Sequence, residues 1–203
     1  GKGRVNLGFD KFRQWVDLAG VRYYLERAVW HTRAEHTVDG VRPPAELQFI
    51  HKSKGTVKAD EASLVISVMF VHGKENRALA ELINEALPGS QDDPDVFKAK
   101  RGFRNPGSRG NLTVDLDGLL PPTGELGYDA YDGSVSQPPC NSARVIVFRH
   151  LLSMSVRQWK EIRAYTGDNA RPVQKVNGRK VTASRNARVI AKGKDVDAPR
   201  PNK

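Results

Sequence analysis

The sequence has little cysteine and no long apolar run. The first shortage argues against a disulfide-stabilised protein, and the second argues against a membrane-spanning segment. Its 203 residues contain one cysteine, Cys140, which excludes an internal disulfide framework and favours a reducing or organellar setting. We expect Cys140 to be a buried free thiol. The richest apolar stretch, residues 63–71, is far shorter than the roughly 18 residues of a membrane span, so it predicts a buried strand.

The remaining composition is that of a globular protein. Hydrophobic residues make up 38% of the chain and charged residues 28%, which excludes an intrinsically disordered chain. A chain of this length can bury the core of one domain, with or without a tail.

Positive charge is concentrated at the C-terminal end. The formal net charge is +10, and residues 171–203 hold ten Lys or Arg against Asp195 and Asp197. A basic arm of this kind binds RNA, acidic lipid, sulfated glycan or an acidic protein surface, or it is a solvated tail. Five more basic residues surround Phe103 in residues 98–110. The candidate polyanion or partner contacts are Lys98, Lys100, Arg101, Arg104, Arg109, Arg185, Arg188, Lys192 and Lys194.

Alternating and β-branched patterns predict a series of strands. They cover residues 21–31, 45–52, 62–73, 111–122 and 143–153. Asp39-Gly40 predicts a tight hairpin turn before the second of these. In residues 45–52, alternation places Leu47, Phe49 and His51 on one face and Glu46, Gln48 and Ile50 on the other.

Helical patterns are few. Apolar residues at helical spacing predict a helix over 75–88, through Leu79, Leu82, Ile83 and Leu87, and an amphipathic pattern predicts another over 155–165. Many strands and few helices predict a mainly β domain built on one large sheet.

Three segments together resemble the α-class carbonic anhydrases. They are HTRAEHTVDGVRPPAELQFIHK (31–52), LLPPTGELGYDAYDGSVSQPPC (119–140) and NARPVQKVNGRKV (169–181), in the family's order. The resemblance implies a large, twisted, mainly antiparallel sheet with peripheral helices over residues 1–182, followed by a basic tail at 183–203. It also implies that the N-terminal part of the family's domain is absent from this chain. Either the chain is a fragment or processed product, or a partner covers the exposed core.

The resemblance also implies where the family's zinc ligands would lie. Two come as His-x-His on one strand and a third from its neighbour, and these positions fall on Val29, His31 and Gln48. Valine has no lone pair and a glutamine oxygen is a poor zinc ligand beside imidazole. We therefore expect no zinc and no other cofactor, and we expect none of the remaining histidines (His36, His51, His72 and His150) to rebuild the site.

The surrounding pocket is predicted to persist without its chemistry. The resemblance matches Glu35 and Ser136 to a hydrogen-bonded carboxylate–hydroxyl pair, and Glu46 to the carboxylate that steadies a ligand imidazole. Gln137 replaces a small hydroxyl residue and is expected to enter the pocket. The apolar wall is expected to be formed by Ile50, Val65, Val135 and Ile146.

These observations predict a non-catalytic carbonic-anhydrase-like protein that is a structural or interaction subunit of a larger complex. An organellar, mitochondrial location is favoured, and secretion is not excluded. The alternative is a polyanion-binding module that uses residues 98–110 and the basic tail. The third hypothesis is an active carbonic anhydrase with an atypical zinc site.

Overall fold

The computed structural model describes residues 6–8, 14–54, 63–86 and 116–184. Nine strands lie in these ranges. They are β1 (Asn6–Gly8), β2 (Trp15–Leu18), β3 (Val21–Thr32), β4 (Ala45–Ser53), β5 (Ser63–His72), β6 (Tyr128–Ser134), β7 (Ser142–Phe148), β8 (Leu152–Met154) and β9 (Thr182–Ser184).

All nine strands belong to one sheet. Its order is β1-β3-β4-β5-β7-β6-β9, with β2 also paired to β3 and β8 also paired to β5. The β3–β4, β4–β5 and β6–β7 pairs are antiparallel, whereas β5 runs parallel to both β7 and β8. The prediction of a large, mainly antiparallel sheet is therefore confirmed.

Side-chain alternation gives the sheet two different faces. Leu47 and Phe49 of β4 pack in the larger apolar cluster, whereas Ile50 packs in a second cluster with Val29 and Val65. Residues two apart on a strand share a face, so Glu46 and Gln48 lie on the side of Ile50. We call this side the site face, and the predicted division of β4 is confirmed.

Two α-helices lie in the described residues, and both pack on the face opposite the site face. Helix α1 spans Arg77–Ala86 and buries Leu79, Leu82 and Ile83 in the larger cluster, as predicted. Helix α2 spans Val156–Thr166 and begins at a capping box in which Ser155 and Gln158 exchange hydrogen bonds. Neither helix is long and apolar enough to cross a membrane.

A tight hairpin turn leads the chain into β4. Val38 and Val41 exchange backbone hydrogen bonds of 3.0 and 2.9 Å, and Asp39 and Gly40 have φ angles of 50° and 77°. Two consecutive positive φ angles define the hairpin turn that Asp-Gly favours, so this prediction is confirmed.

Three sequence predictions are wrong. The strand predicted over 143–153 is two strands, because the chain leaves the sheet after Phe148 and returns at Leu152. Residues 117–119 of the predicted fourth strand form a 3-10 turn, and residues 111–115 lie outside the described ranges. Cys140 is exposed rather than buried, in a turn where its φ is 58°.

Candidate functional site

The three positions that the resemblance matched to zinc ligands come together on the site face. Val29 of β3 pairs directly with Gln48 of β4, and His31 lies two residues further along β3, opposite Glu46. All three side chains are buried. The sequence therefore placed these residues beside one another correctly.

The donor groups at these positions do not fit a zinc ion. Val29 has no donor atom, and His31 is the only imidazole of the three. Among the residues that the structure describes, neither ring nitrogen of His31 has a hydrogen-bond partner, although its Nδ1 lies 3.4 Å from Glu35 Oε1. Within residues 14–54, 63–86 and 116–184, no group of three or more His, Cys, Asp or Glu side chains could hold a metal ion.

The carboxamide of Gln48 connects the polar side chains of the site. Its Nε2 donates to Glu46 Oε1 at 2.8 Å and to Glu35 Oε2 at 3.2 Å, and its Oε1 accepts from Ser136 Oγ at 3.4 Å. The expected direct pair between Glu35 and Ser136 is thus replaced by two contacts through Gln48. A buried amide that donates twice and accepts once is largely satisfied.

Glu46 is the acceptor on which this network converges. Its carboxylate accepts the backbone N–H groups of Glu35 and His36 at 2.7 and 3.0 Å, and Oε1 also accepts from Ser67 Oγ at 2.7 Å. Burial would raise the pKa of Glu46, but the charge and hydrogen bond of His36 and the hydrogen bond of Gln48 hold that pKa well below its usual range. Glu46 is therefore a buried carboxylate that stays ionised.

His36 forms an ion pair with Glu46. Its Nδ1–H donates to Glu46 Oε1 at 2.8 Å, and its Nε2 lies 2.7 Å from the Tyr131 hydroxyl. Burial opposes the charged imidazolium, yet the Glu46 carboxylate raises the pKa of His36 above 6.5. Burial, and then the charge of Glu46, raises the pKa of Tyr131 to about 12, so its hydroxyl keeps its proton. Both ring nitrogens of His36 are thus engaged by Glu46 and Tyr131.

Sequence patterns missed several residues of this network. Ser67 is paired opposite Gln48 from β5, and alternation along β5 could have placed it on the site face. No sequence pattern assigned Tyr131 to the site. The segment 169–181, which we call the overlying segment, is tied to the site because Arg171 N–H donates to Glu35 Oε1 at 2.9 Å. This contact joins residues 136 positions apart in the chain, beyond the reach of local patterns.

A pocket of about 350 Å³ opens between the sheet and the overlying segment. Gln48 and Ser136 line its polar side, and Val65, Val145 and Val147 line its apolar side. The prediction that Ile146 lines the wall is wrong, since β7 pairs with β5 so that Val145 lies opposite Val65, and Ile146 packs in the cluster on the opposite face.

Some of the remaining predicted site residues lie in the described part of the chain, and the others lie outside it. Ile50, Val65 and Val135 belong to the site-face cluster, as expected, whereas Gln137 is half-buried and does not line the pocket. The predicted contact residues of the basic loop and tail lie outside the described residues, and strand β9 continues to Ser184. Those outside are Lys98, Lys100, Arg101, Arg104, Arg109, Arg185, Arg188, Lys192 and Lys194.

The sheet and the sequence together define the family. The model of the eukaryotic-type carbonic anhydrase family matches residues 17–185, which is most of the chain. The chain belongs to this family. The predicted resemblance is therefore confirmed.

Relatives and solved structures agree with this assignment. Carbonic anhydrase from Klebsiella pneumoniae is 30% identical over 168 residues, which are 82% of this chain and 60% of that protein. Dioscorin DB3S from Dioscorea polystachya is 28% identical over 87% of this chain and 63% of its own length. The chain thus spans about three-fifths of these two relatives.

Two solved structures share the fold. The α-carbonic anhydrase of Thermovibrio ammonificans, solved with the inhibitor sulfanilamide, has a TM-score of 0.69 at 31% identity, over 88% of this chain and 70% of that one. Dioscorin complexed with ascorbate has a TM-score of 0.68 at 25% identity, over 91% of this chain and 71% of that one.

Proposed function

We propose that this chain is a non-catalytic member of the carbonic anhydrase family that serves as a structural or interaction subunit of a larger assembly. The observation that carries the proposal is the pairing of Val29 with Gln48 on the site face, beside a lone His31. Zinc chemistry in this family needs three imidazoles to hold the ion and to acidify its water. One imidazole, one amide and one aliphatic side chain do not supply them.

The hydrogen bonds of Gln48 support the same conclusion. To bind a metal, the amide would have to give up its contacts with Glu35, Glu46 and Ser136. Glu46 would then lose one of its buried donors, at a cost of about 1–3 kcal/mol. The side chain at this position stabilises the sheet without any metal, so the fold can be retained for binding rather than for catalysis.

The zinc content of the purified protein and its rate of carbon dioxide hydration test the proposal. We expect substoichiometric zinc and no hydration above the uncatalysed rate. The variant with both Val29→His and Gln48→His should bind zinc, whereas each single variant should not, because two imidazoles are too few. Adding His31→Ala to the double variant is the matched control, and it should abolish zinc uptake.

Some results would contradict the proposal. Stoichiometric zinc and turnover in the unmodified chain would show an active enzyme. Purification of the native protein tests the subunit role. A protein recovered only as an isolated monomer would refute that role without affecting the prediction about zinc.

A second candidate function is polyanion binding. In the described part of the chain, the overlying segment carries Arg171, Lys175, Arg179 and Lys180 and no acidic residue, and it leads toward the basic tail. Binding of heparin that weakens steeply with salt would support this function. Binding that salt does not change would oppose it.

A further inference from the structure

Exposed apolar side chains are concentrated beside the pocket of the site face. Among the residues that the structure describes, five large hydrophobic side chains are exposed, and four of these lie on the overlying segment or on the hairpin turn before β4. The four are Val41, Val173, Val176 and Val181, with exposed fractions of 68%, 45%, 55% and 48%. A single exposed valine is ordinary, whereas a group on two adjacent segments is typical of an interaction surface. We call residues 38–41 and 169–181 the docking surface.

Hydrogen bonds hold the overlying segment against the hairpin turn. The Arg42 guanidinium, one residue beyond Val41, donates to Arg171 O at 2.8 Å and to Ala34 O at 2.6 Å. The backbone N–H of Arg171 donates to Glu35 Oε1 at 2.9 Å. The two segments that carry the exposed valines are therefore neighbours, and they form one surface.

A second tight turn shapes the overlying segment. Arg179 N–H donates to Val176 O at 3.0 Å. Between them, Asn177 and Gly178 have φ angles of 51° and 72°, which repeats the geometry of the turn at residues 39–40. Beyond this turn the chain enters β9, which pairs with β6. Because the backbone is held at both ends and at the turn, it loses little further freedom when a partner binds.

The docking surface carries positive charge without ion-pair partners. Within the described ranges, none of the basic side chains of the overlying segment forms a salt bridge. The overlying segment contains no acidic residue, and its basic residues are Arg171, Lys175, Arg179 and Lys180. Asp39 is the acidic residue of the hairpin turn, so the docking surface has a net charge of +3.

The carboxylates beneath this surface do not cancel its charge. Asp129 binds Arg149 through both of its oxygens, so these two side chains have no net charge together. The Glu35 side chain is 9% exposed and accepts hydrogen bonds from Gln48 and from the backbone of Arg171. With Glu35 included, the net charge of this part of the molecule is still +2.

This charge selects an acidic partner. Complementary potentials favour association, whereas surfaces of like charge repel. Two copies of the docking surface would repel each other, and residues 183–203 also have a net positive charge. Neither a second copy of this chain nor its own basic tail therefore fits the surface.

The exposed valines select among acidic partners. Nucleic acids and sulfated glycans supply negative charge, but their phosphate and sulfate groups do not cover aliphatic side chains. Bases need aromatic side chains for stacking, and residues 38–41 and 169–181 contain none. A protein segment in which aliphatic residues alternate with acidic ones matches both the valines and the cations.

We propose that the docking surface binds an acidic segment of a partner protein, whose aliphatic side chains cover the valines and whose carboxylates contact the surrounding cations. This inference rests on the proposed interaction role, and it names the surface and the chemistry of the partner.

Fluorescence anisotropy with a labelled peptide of alternating glutamate and leucine tests the proposal on the full chain. A peptide of alternating glutamate and serine, of the same length and charge, is the comparison. We expect the leucine peptide to bind about tenfold more tightly, which is the factor for removing one valine side chain from water. Both affinities should fall as the salt concentration rises, because the carboxylates are attracted by exposed cations.

Two variants with matched controls locate the binding. Val176→Ser should weaken the leucine peptide by about fivefold and leave the serine peptide unchanged. Val156→Ser, at an exposed valine of helix α2 on the opposite face, is its control and should change neither affinity. Lys175→Gln should weaken both peptides by about threefold, the factor for one exposed ion pair, whereas Lys160→Gln on α2 should weaken neither.

Three results would overturn the proposal. Equal affinities for the two peptides would show a site for polyanions in general. Equal effects of Val176→Ser and Val156→Ser would place the binding elsewhere, and no binding of the leucine peptide would remove the site. Each of these results leaves the prediction about zinc intact, whereas stoichiometric zinc with turnover would contradict the proposed function and leave the peptide affinities unchanged.

Discussion

Replacing His51 by asparagine should remove an acid-sensitive component of the stability of this protein. His51 is buried on the face of β4 opposite the site face, where its Nδ1 lies 3.1 Å from the carbonyl oxygen of Phe49. Burial disfavours the charged imidazolium and lowers the pKa of His51 from 6.5 to about 4. The folded protein therefore keeps this ring neutral at pH values where the unfolded chain is protonated.

The sign and size of the effect follow from proton linkage. Because the folded pKa is the lower one, the unfolded chain binds more protons between the two values, and stability is lost as the pH falls. For pKa values of 6.5 and about 4, moving from pH 7.5 to pH 5.0 removes about 2 kcal/mol of unfolding free energy. His36 acts in the opposite direction, since its raised pKa gives stability that is present below 6.5 and is lost at higher pH.

Urea denaturation at pH 7.5 and pH 5.0 measures this difference. Between pH 7.5 and pH 5.0, the unfolding free energy of the unmodified protein should fall by about 2 kcal/mol more than that of His51→Asn. The contribution of His36 is common to both proteins, so it cancels in this comparison. His72→Asn, at the exposed end of β5, is the control. Its unfolding free energy should fall by as much as that of the unmodified protein over the same pH interval. Equal losses in the unmodified protein and His51→Asn would refute the reasoning.

Two further predictions concern hydrogen bonds around the site. Glu46→Gln should destabilise the protein by about 1–3 kcal/mol in urea denaturation, because it removes the charge that accepts hydrogen bonds from Ser67 Oγ and from the backbone N–H groups of Glu35 and His36; an unchanged unfolding free energy would contradict this role. Asn169→Ala should cost about 2 kcal/mol, because its side chain donates to Trp30 O at 2.7 Å and accepts from Thr32 N–H at 2.9 Å. Hydrogen exchange of the Thr32 amide should then accelerate, and unchanged exchange would contradict this role.

Sequence patterns predicted the parts of the site that local periodicity controls. Alternation separated Gln48 from His51 on β4, and the Asp39-Gly40 turn fixed where β4 begins. The error at Ile146 has a simple cause. A shift of one residue in the register of a strand moves every side chain to the other face, and the parallel pairing of β7 with β5 sets that register.

Other features depended on contacts that no local pattern records. Tyr131 reaches His36 across 95 positions of the chain, and Arg171 reaches Glu35 across 136. The break between Phe148 and Leu152 has no glycine or proline to signal it. These contacts exist only after the sheet has assembled, so they could be read only from the structure.

The two parallel partners of β5 have a consequence for how the chain is made. Strand β5 ends at His72, whereas β7 begins at Ser142. About 70 residues must therefore be synthesised before β7 can pair with the edge of β5 that faces away from β4. At ribosomal rates of roughly 5–20 residues per second, that edge stays open for about 4–14 s. The uncharged, β-branched stretch SLVISVMFV is then open to pairing with other chains, and its composition is one that favours aggregation.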